Sequence, residues 1–340
     1  MKLTYGSLFA GVGGFDMGFD ADGWENRWQV EKDPLCLDVL QRHWPEVPKY
    51  QDVCDISGHD IEPVDAILFG FPCQDLTFAQ PIDKRSGLSG ERSGLFFEAV
   101  RIIQEMRNET NNTYPRYAIA ENVAGLLSAE SGRSFLRVLE AMVELGAVAI
   151  EWRILDAQDF GLPQHRRRVF LVANFNSGAE SGGTIFPQPQ SLSRHHETNR
   201  KTRPDSTPGD ESDSSGYPSF RRVRKTYIPS AVGATLLASK FGRETTLIKT
   251  QKSGGSYTLR RLSPLEAERM QGWPDFHTKY SSSGDVISDT RRFPLIGNGV
   301  ASPCANWVAR QIRAFDTSIS PIDSAPRSPS EAPRSPVETI

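Results

Sequence analysis

Short apolar runs alternate with amphipathic stretches along the first 175 residues of the chain, and this alternation predicts an α/β fold. Runs as long as a buried strand occupy residues 3–9, 28–30, 65–69, 117–120, 147–156 and 169–173. Amphipathic helices are predicted from Phe15, from Leu95 and over residues 131–145. Strands and helices in this order predict a doubly wound, Rossmann-like parallel sheet, a fold that keeps its active site at the carboxyl edge.

A thiol is carried to that edge by the stretch Gly70-Phe71-Pro72-Cys73-Gln74, which ends the strand predicted at 65–69. Cys73 is therefore a candidate nucleophile, although a single cysteine is more often a small buried hydrophobic residue. The next segment, Asp75 to Gly94, is rich in glycine, serine and charge and has no helical or strand period. Loops of this length inside a compact domain usually serve as lids or binding loops.

A glycine-rich turn, Ala10-Gly11-Val12-Gly13-Gly14, separates the first strand from the first helix. Glycines there let a ligand approach the backbone, and the helix N-terminus favours negative charge. Glu31 ends the second strand, about twenty residues later, where a carboxylate can bind the ribose hydroxyls of an adenosine. Asp52 and Val53 end a third candidate strand. The spacing departs from GxGxxG, so an ordinary glycine turn, a dinucleotide site and a site for adenosine with a small charged tail all remain open.

Two further polar groups adjoin buried strands. The segment Glu121-Asn122-Val123 follows the strand at 117–120, so its carboxylate can share a crevice with Cys73, unless it is a helix cap or a surface residue. The segment Gln164-His165-Arg166-Arg167-Arg168 leads into the strand at 169–173, and strand alternation places Arg166 and Arg168 on one side. An arginine run is usually a solvated face. Beside a cysteine and a glutamate, however, paired guanidinium groups favour an anionic or carbonyl-bearing substrate.

Composition narrows the class of protein. Hydrophobic residues make up 38% and charged residues 24% of the chain, and no apolar run reaches the ~18–20 residues of a membrane span. A strand pattern begins at the N-terminus, so no signal peptide is predicted. The four cysteines lie far apart and lack metal-ligand spacing. We therefore expect neither disulfides nor zinc, and a cytoplasmic location.

The segment from Phe175 to Thr258 differs in charge from the rest of the chain. It holds 12 Lys and Arg against 7 Asp and Glu, whereas the whole chain has a net charge of −3. A basic segment on an acidic body suits a surface that faces DNA, although a solvated basic surface is the alternative. Residues 188–216 are mostly Ser, Pro, Asp, Arg and His in no pattern and are predicted to be a mobile loop. Residues 220–227 and 234–258 are strand-like, and the tail beyond Phe315 is predicted to be disordered.

Taken together, these motifs and their order resemble those of the DNA (cytosine-5) methyltransferases. The resemblance rests on Phe9-Ala10-Gly11-x-Gly13-Gly14, Glu31, Pro72-Cys73-Gln74, Glu121-Asn122-Val123, Gln164-x-Arg166-x-Arg168, the run from Arg260 to Pro274, and Gly297-Asn298-Gly299-Val300. It covers residues 3 to about 312 apart from one variable segment. It implies a Rossmann-like domain that uses S-adenosylmethionine and releases S-adenosylhomocysteine, together with a small, mostly β target-recognition domain.

The resemblance also implies roles for individual residues. Cys73 would add to C6 of a cytosine, Glu121 would hold its N3 and N4, and Arg168 would hold the C2 carbonyl with Arg166 nearby. The target base would be flipped out of the duplex. The expected cofactor contacts are Phe9, Ala10, Gly11, Gly13, Gly14, Glu31, Asp52, Val53, Pro72, Leu95 and Asn298. The expected substrate contacts are Gln74, Asn122, Gln164, Arg221, Arg222, Arg224 and Lys225.

Two positions depart from the family pattern. Lys32 stands where some relatives have an aromatic residue that stacks on adenine, which suggests looser packing there. Leu76-Thr77 stand where Phe-Ser is common, and Thr77 keeps the hydroxyl group.

The predicted division is a catalytic domain (1–174), a recognition region (175–258), a returning segment (259–315) and a tail (316–340). Double-stranded DNA is the expected partner of a monomeric enzyme, with a cognate restriction endonuclease in the same system and no membrane. The alternatives are the same chemistry on structured RNA, a silent DNA-binding module, and a nicotinamide oxidoreductase. The last explains neither Cys73 nor the arginine pair.

Overall fold

The computed structural model describes residues 2–71, 94–176, 183–187, 219–223, 226–230, 246–251 and 257–319, with residues 219–259 and 319 as backbone only. Its strands are β1 (Thr4–Leu8), β2 (Glu25–Val30), β3 (Lys49–Tyr50), β4 (Ala66–Gly70), β5 (Tyr117–Val123), β6 (Ala149–Asp156), β7 (Arg167–Asn174), β8 (Ser219–Val223), β9 (Thr226–Ser230), β10 (Thr246–Gln251) and β11 (Tyr257–Arg261). The α-helices are α1 (Gly14–Ala21), α2 (Pro34–His43), α3 (Leu95–Glu109), α4 (Arg133–Glu144), α5 (Pro264–Met270), α6 (Asp289–Asn298) and α7 (Ser302–Ile319).

Seven strands form the main sheet in the order β3-β2-β1-β4-β5-β7-β6. The first five in this order are parallel, whereas β7 runs antiparallel to both β5 and β6. The predicted parallel sheet is therefore mixed at this edge. The link from β6 to β7 has room only for a 3₁₀ turn, Ala157–Phe160, and a parallel return would need a crossover of a dozen or more residues.

Helices cover both faces of this sheet, as its apolar strands require. Helices α3 and α4 bury one face through residues such as Phe96, Ile103 and Val138. Helices α1 and α7 bury the other, where Phe19 and Val308 are both fully buried. The layers confirm the predicted α/β class and leave the carboxyl ends of the strands free to form a site.

Four antiparallel strands form a second sheet in the order β11-β10-β8-β9. They occupy the segment predicted to be mostly β. Arg221 and Arg222 lie on β8, whereas Arg224 and Lys225 fall between β8 and β9, outside the described residues.

Three domain boundaries in the structure differ from those predicted from the sequence. Residues 183–187 belong to the catalytic layer, because Phe186 is buried and stacks on Trp307 of α7. Strand β11 extends the second sheet to Arg261, past the predicted limit at 258. Helix α7 continues to Ile319, so the tail does not begin at 316: the Asp316 carboxylate pairs with Arg116 and accepts a hydrogen bond from Tyr117 Oη at 3.0 Å.

Several predictions fall outside the described residues. They concern Pro72, Cys73 and Gln74, the loop expected at 75–94 apart from Gly94, the spacer expected at 188–216, and the tail from residue 320. Among the described helices, none is both long and apolar enough to cross a bilayer.

Candidate active site

A cavity of about 550 Å³ lies at the carboxyl ends of β1, β2, β4 and β5. The glycine turn, the end of β2, the end of β5 and the loop between α6 and α7 contribute to its walls. Of the residues predicted to bind a cofactor, Phe9, Ala10, Gly11, Gly14, Glu31, Asp52, Val53, Leu95 and Asn298 line it. Glu121, Asn122, Arg166 and Arg168 line the same cavity. Two sets of residues predicted from separate motifs therefore meet at one place.

The glycine turn is held by the end of β2 and by the C-terminal segment. Ala10 N donates to Val30 O at 3.0 Å, which ties the turn to the end of β2. A Cβ on Gly14 would lie 2.6 Å from Val300 O, so the C-terminal segment closes directly on the start of α1. Gly13 does not line the cavity, and its Cβ would fall 2.3 Å from the Trp44 ring. The predicted cofactor contact at Gly13 is corrected to a packing contact.

Glu31 is bound by backbone on both sides of its carboxylate. Oε2 accepts from Gly11 N and Oε1 from Asp33 N, each at 2.8 Å. Burial raises the pKa of Glu31, and these N–H donors oppose that rise by stabilising the anion. The carboxylate thus joins the glycine turn to the N-terminus of α2 at the cavity wall.

Lys32, which stands where some relatives have an aromatic residue, also lines the cavity. Its Nζ lies 2.6 Å from Asp52 Oδ2, and that contact lowers the pKa of Asp52. The lysine side chain is 81% exposed. Water screens an ion pair in that setting, so it contributes little to stability.

Glu121 is the most unusual carboxyl group in the cavity. It lies within β5, not after it as predicted, because the strand continues to Val123 through its pairing with β7. Arg168 Nε lies 3.1 Å from Glu121 Oε1, yet this buried oxygen accepts no hydrogen bond from the described residues. Burial raises the pKa of Glu121, and the charges of Arg168 and Arg166 only partly offset that effect. Burial therefore makes the Glu121 carboxyl group easier to protonate than an exposed one.

Arg166 and Arg168 lie on the same side but make different contacts. Arg168 keeps 15% of its side chain exposed and faces Glu121. Arg166 is 3% exposed, and its Nη2 donates to Gly297 O at 3.1 Å and Gly299 O at 2.7 Å. Burial, followed by the charge of Arg168, lowers the pKa of Arg166 to about 9. Arg166 therefore helps to fix the C-terminal wall, and its predicted catalytic role stays a prediction.

Two residues that were predicted to contact substrate form hydrogen bonds with protein atoms in this structure. Gln164 is fully buried, and its Nε2 donates to Met270 O at 2.8 Å, so the prediction that it binds substrate is corrected. Asn122 lines the cavity, but its Nδ2 donates to Phe71 O at 2.6 Å. Phe71 is the last described residue before Cys73. Asn122 thus holds the strand end from which the thiol-bearing segment leaves.

His277 was missed by the sequence reasoning. It is 2% exposed, its ring N–H donates to Val12 O of the glycine turn at 2.7 Å, and it stacks on His43 with centroids 4.0 Å apart. Burial, and then the charge of His43, lowers the pKa of His277 to about 4. Nothing local in the sequence signals this contact, which spans 265 positions.

Comparison with solved structures defines the class of protein. The Dnmt2 methyltransferase of S. pombe aligns over 93% of this chain and all of its own, with a TM-score of 0.63 and 15% identity. The Entamoeba histolytica methyltransferase EhMeth aligns over 94% of this chain and all of its own, with a TM-score of 0.59 and 13% identity. The fold is that of the S-adenosylmethionine-dependent methyltransferases.

Sequence comparison then gives the family. The family model described as C-5 cytosine-specific DNA methylase matches residues 3–314, so this chain belongs to that family and is a DNA (cytosine-5) methyltransferase. The Type II methyltransferase M.Bsp6I of Bacillus sp. (strain RFL6) is 30% identical over 91% of this chain and 98% of its own. The Type II methyltransferase M.BsuFI of Bacillus subtilis is 29% identical over 91% of this chain and 72% of its own.

Family and fold imply S-adenosylmethionine as methyl donor and DNA as substrate. The cavity suits an adenosine derivative: Glu31 presents a carboxylate, the glycine turn presents backbone, and Leu295 and Val300 present apolar surface. The same cavity reaches the carboxyl group of Glu121.

Proposed function

We propose that the chain methylates C5 of a cytosine flipped out of duplex DNA, through a covalent bond between Cys73 and C6 of the base. The observation that carries this proposal is the buried carboxyl group of Glu121 beside Arg168. A neutral carboxyl group donates a hydrogen bond to a ring nitrogen, and a guanidinium binds a carbonyl oxygen. Cytosine offers N3 and the C2 carbonyl side by side. The pair therefore fits the polar edge of this base.

The steps follow from those contacts. The Cys73 thiolate forms a bond to C6, and the ring electrons move toward C5 and N3, where Glu121 stabilises the developing charge by sharing its proton. S-adenosylmethionine, when bound, would supply an electrophilic methyl group to C5 and leave as S-adenosylhomocysteine. Loss of the C5 proton to a base then restores the C5–C6 double bond and expels the Cys73 thiolate. Asn122 assists by holding the carbonyl of Phe71, two residues before the nucleophile.

The cofactor assignment rests on the same cavity. Glu31 binds the ribose hydroxyls, the glycine turn lies along the donor, and Asp52, Val53 and Asn298 surround the adenine and its attached chain. This arrangement uses the residues that line the cavity and leaves out Gly13, which packs on Trp44. Pro72, predicted to join them, lies outside the described residues.

The test of the chemistry is a covalent trap. A duplex with 5-fluorocytosine at the target should form a stable complex with the wild-type enzyme, because fluorine cannot leave C5 as a proton does. Cys73→Ala should abolish both methyl transfer and trapping while S-adenosylhomocysteine still binds. Cys54→Ala is a matched control, since Cys54 is exposed. Turnover by Cys73→Ala would remove Cys73 from the mechanism.

The DNA site is assigned to the second sheet and its flanking segments, where the basic residues of the variable region concentrate. Arg221, Arg222, Arg224 and Lys225 are proposed to contact bases and phosphates. Expression in methylation-free cells, followed by mapping of modified cytosines, identifies the sequence that is read. A parallel assay with a structured RNA tests the alternative polymer, and methyl transfer to RNA alone would overturn the DNA assignment.

A restriction endonuclease partner is proposed from the relatives, which are named Type II methyltransferases. Such a partner would cleave unmodified DNA at the mapped sequence, and the product of this enzyme would resist it. A host extract that leaves unmodified sites uncut would count against the partner without affecting the methyltransferase assignment.

A further inference from the structure

The C-terminal wall of the cavity, residues 295–300, is held in place by side chains from distant segments. Its cavity-lining residues Gly297, Asn298 and Gly299 lie between the buried side chains of Ile296 and Val300. Arg166 donates to the carbonyls of Gly297 and Gly299. Gln271 Nε2 donates to Ile296 O at 2.7 Å. The position of Asn298 over the cavity therefore depends on these buried donors.

Both the nitrogen and the oxygen of the Gln271 side-chain amide form hydrogen bonds. While its Nε2 binds Ile296, its Oε1 accepts from Gln164 Nε2 at 3.3 Å. Both glutamine side chains are fully buried, so water cannot replace either contact. Gln271 O also accepts from Ser302 N at 3.1 Å, which fixes the start of α7. Loss of a buried hydrogen bond of this kind leaves its partner unsatisfied.

Gln271 also lies at the end of a short, firmly held connection to the second sheet. Helix α5 ends at Met270 and begins at Pro264, only three residues after β11 ends at Arg261. Arg260 on β11 binds Glu266 on α5 through two contacts of 2.7 Å, and Ser263 caps the helix. A seven-residue helix is about 10 Å long. With both ends held, it has little freedom to absorb a displacement of β11.

We propose that Gln271 is a positioning residue that couples DNA binding at the second sheet to cofactor binding at the C-terminal wall. A shift of β11 on DNA moves α5, and the Gln271 amide passes that movement to Ile296 and the wall that carries Asn298. By thermodynamic reciprocity, bound cofactor then strengthens DNA binding by the same factor. This inference rests on the proposed DNA-reading role of the second sheet.

The test measures coupling without chemistry. The dissociation constant of S-adenosylhomocysteine is measured by calorimetry with and without a duplex that carries the mapped site. The wild type should show a ratio of at least about fivefold, within the usual range of such couplings. Gln271→Met keeps the size but removes the amide, and should reduce the ratio to less than about twofold and weaken S-adenosylhomocysteine alone by about three- to tenfold. Gln164→Met should act in the same direction but less strongly.

Two controls separate coupling from folding. Asp316→Ala removes a buried contact at the start of β5, about 13 Å along the strand from Glu121, and should lower thermal stability but keep the ratio. Arg260→Met should lower the ratio while leaving the affinity for S-adenosylhomocysteine alone unchanged.

An unchanged ratio in folded Gln271→Met, or a wild-type ratio of one, would overturn the inference while methylation itself stands. Failure of the proposed function looks different, since the wild type would then methylate no cytosine. If Gln271→Met does not fold, Gln164→Met and Arg260→Met decide the matter alone.

Discussion

Replacing Glu121 with Gln is the most direct test of the proposed chemistry. Glu121 is 9% exposed, and its Oε1 lies 3.1 Å from Arg168 but accepts no hydrogen bond from the described residues. Glutamine keeps the shape and can still donate to N3 of cytosine, but it has no acidic proton to share as charge develops. The change thus removes the acid and little else.

The expected loss is set by general acid–base catalysis, which contributes about 10²–10⁴-fold. At about 1.36 kcal/mol for each factor of ten, the barrier should rise by roughly 2.7–5.5 kcal/mol. The dissociation constants for DNA and S-adenosylhomocysteine should each change by no more than about tenfold, since removing one neutral hydrogen bond costs about 0.5–1.5 kcal/mol at most. Glu144→Gln, on the exposed face of α4, is the matched control.

The pH dependence of the methyl-transfer rate is a second test of the role of Glu121. Burial raises the pKa of Glu121 above its ordinary value of 4.5, so the protonated form persists to higher pH. The single-turnover rate should fall as pH rises through that raised pKa, and Glu121→Gln should lack this limb. The folded state binds the proton more tightly than the unfolded state, so this group's contribution to stability is present at low pH and is lost as pH rises above 4.5.

The assay is methyl transfer from labelled S-adenosylmethionine to a duplex with the mapped site, under single-turnover conditions. A decrease of less than about threefold in Glu121→Gln, well below the range for an acid–base group, would make Glu121 structural and refute its proposed role. If the rate of Glu121→Gln still falls at high pH as the wild-type rate does, Glu121 does not carry the proton that controls the rate.

Four further predictions concern stability and recognition. Burial lowers the pKa of His277 from 6.5 to about 4, so the free energy of unfolding should decrease as pH falls from 6.5 towards 4, by up to roughly 3 kcal/mol. Denaturation measured at several pH values should show a weaker pH dependence of this free energy in His277→Gln. Truncation after Phe315 should destabilise the enzyme in thermal melts by about 1–2 kcal/mol through loss of Asp316, whereas truncation after Ile319 should not. Shortening residues 190–214 to a brief Gly/Ser link should leave the sequence of methylated sites unchanged, because that segment has too few apolar residues to fix a reading surface; an altered site would show that it reads DNA. A single base-reading arginine such as Arg221, when replaced, should relax one position at a cost of about 1–3 kcal/mol, whereas loss of a phosphate contact should weaken binding at all sites.

Local patterns predicted the elements well where packing is local. Helix α3 begins at Leu95 as predicted, because its apolar positions define one buried face. The strands that form the core of the sheet were all found, since each is a short apolar run between turn residues. Boundaries were less accurate: β5 continues through Glu121 and Asn122, because pairing with β7 extends it beyond its apolar residues.

The direction of β7 could not be read from the chain. Its residues are apolar on both faces, as in a parallel strand, and only the short connection from β6 requires it to run antiparallel. The end of α7 was misjudged for a related reason. Asp316 looked like the start of a polar tail, but it binds Arg116, which lies 200 positions earlier. Composition gives no sign of a partner that distant.

Motif matching found the residues that line the cavity but not what each one contacts. Arg166 and Arg168 share a side of the chain, yet one binds the C-terminal wall and the other faces Glu121. Gln164 belongs to the same motif and is fully buried against Met270, 106 positions away. A residue in a motif can serve the packing of the protein as much as its chemistry, and the sequence alone does not distinguish these two roles.

The glycine turn makes this distinction clearest. Gly13 and Gly14 look like residues that let a cofactor approach, but a Cβ on either would collide with protein, at Trp44 in the first case and Val300 in the second. Gly11 alone differs: its φ is +57°, and a Cβ there would meet no described atom within 4 Å. Gly11 lines the cavity, donates to Glu31 and has no packing contact at its Cβ position, whereas Gly14 lines the cavity and also packs against Val300. The other two are glycines because the C-terminal segment and α2 must close over the turn.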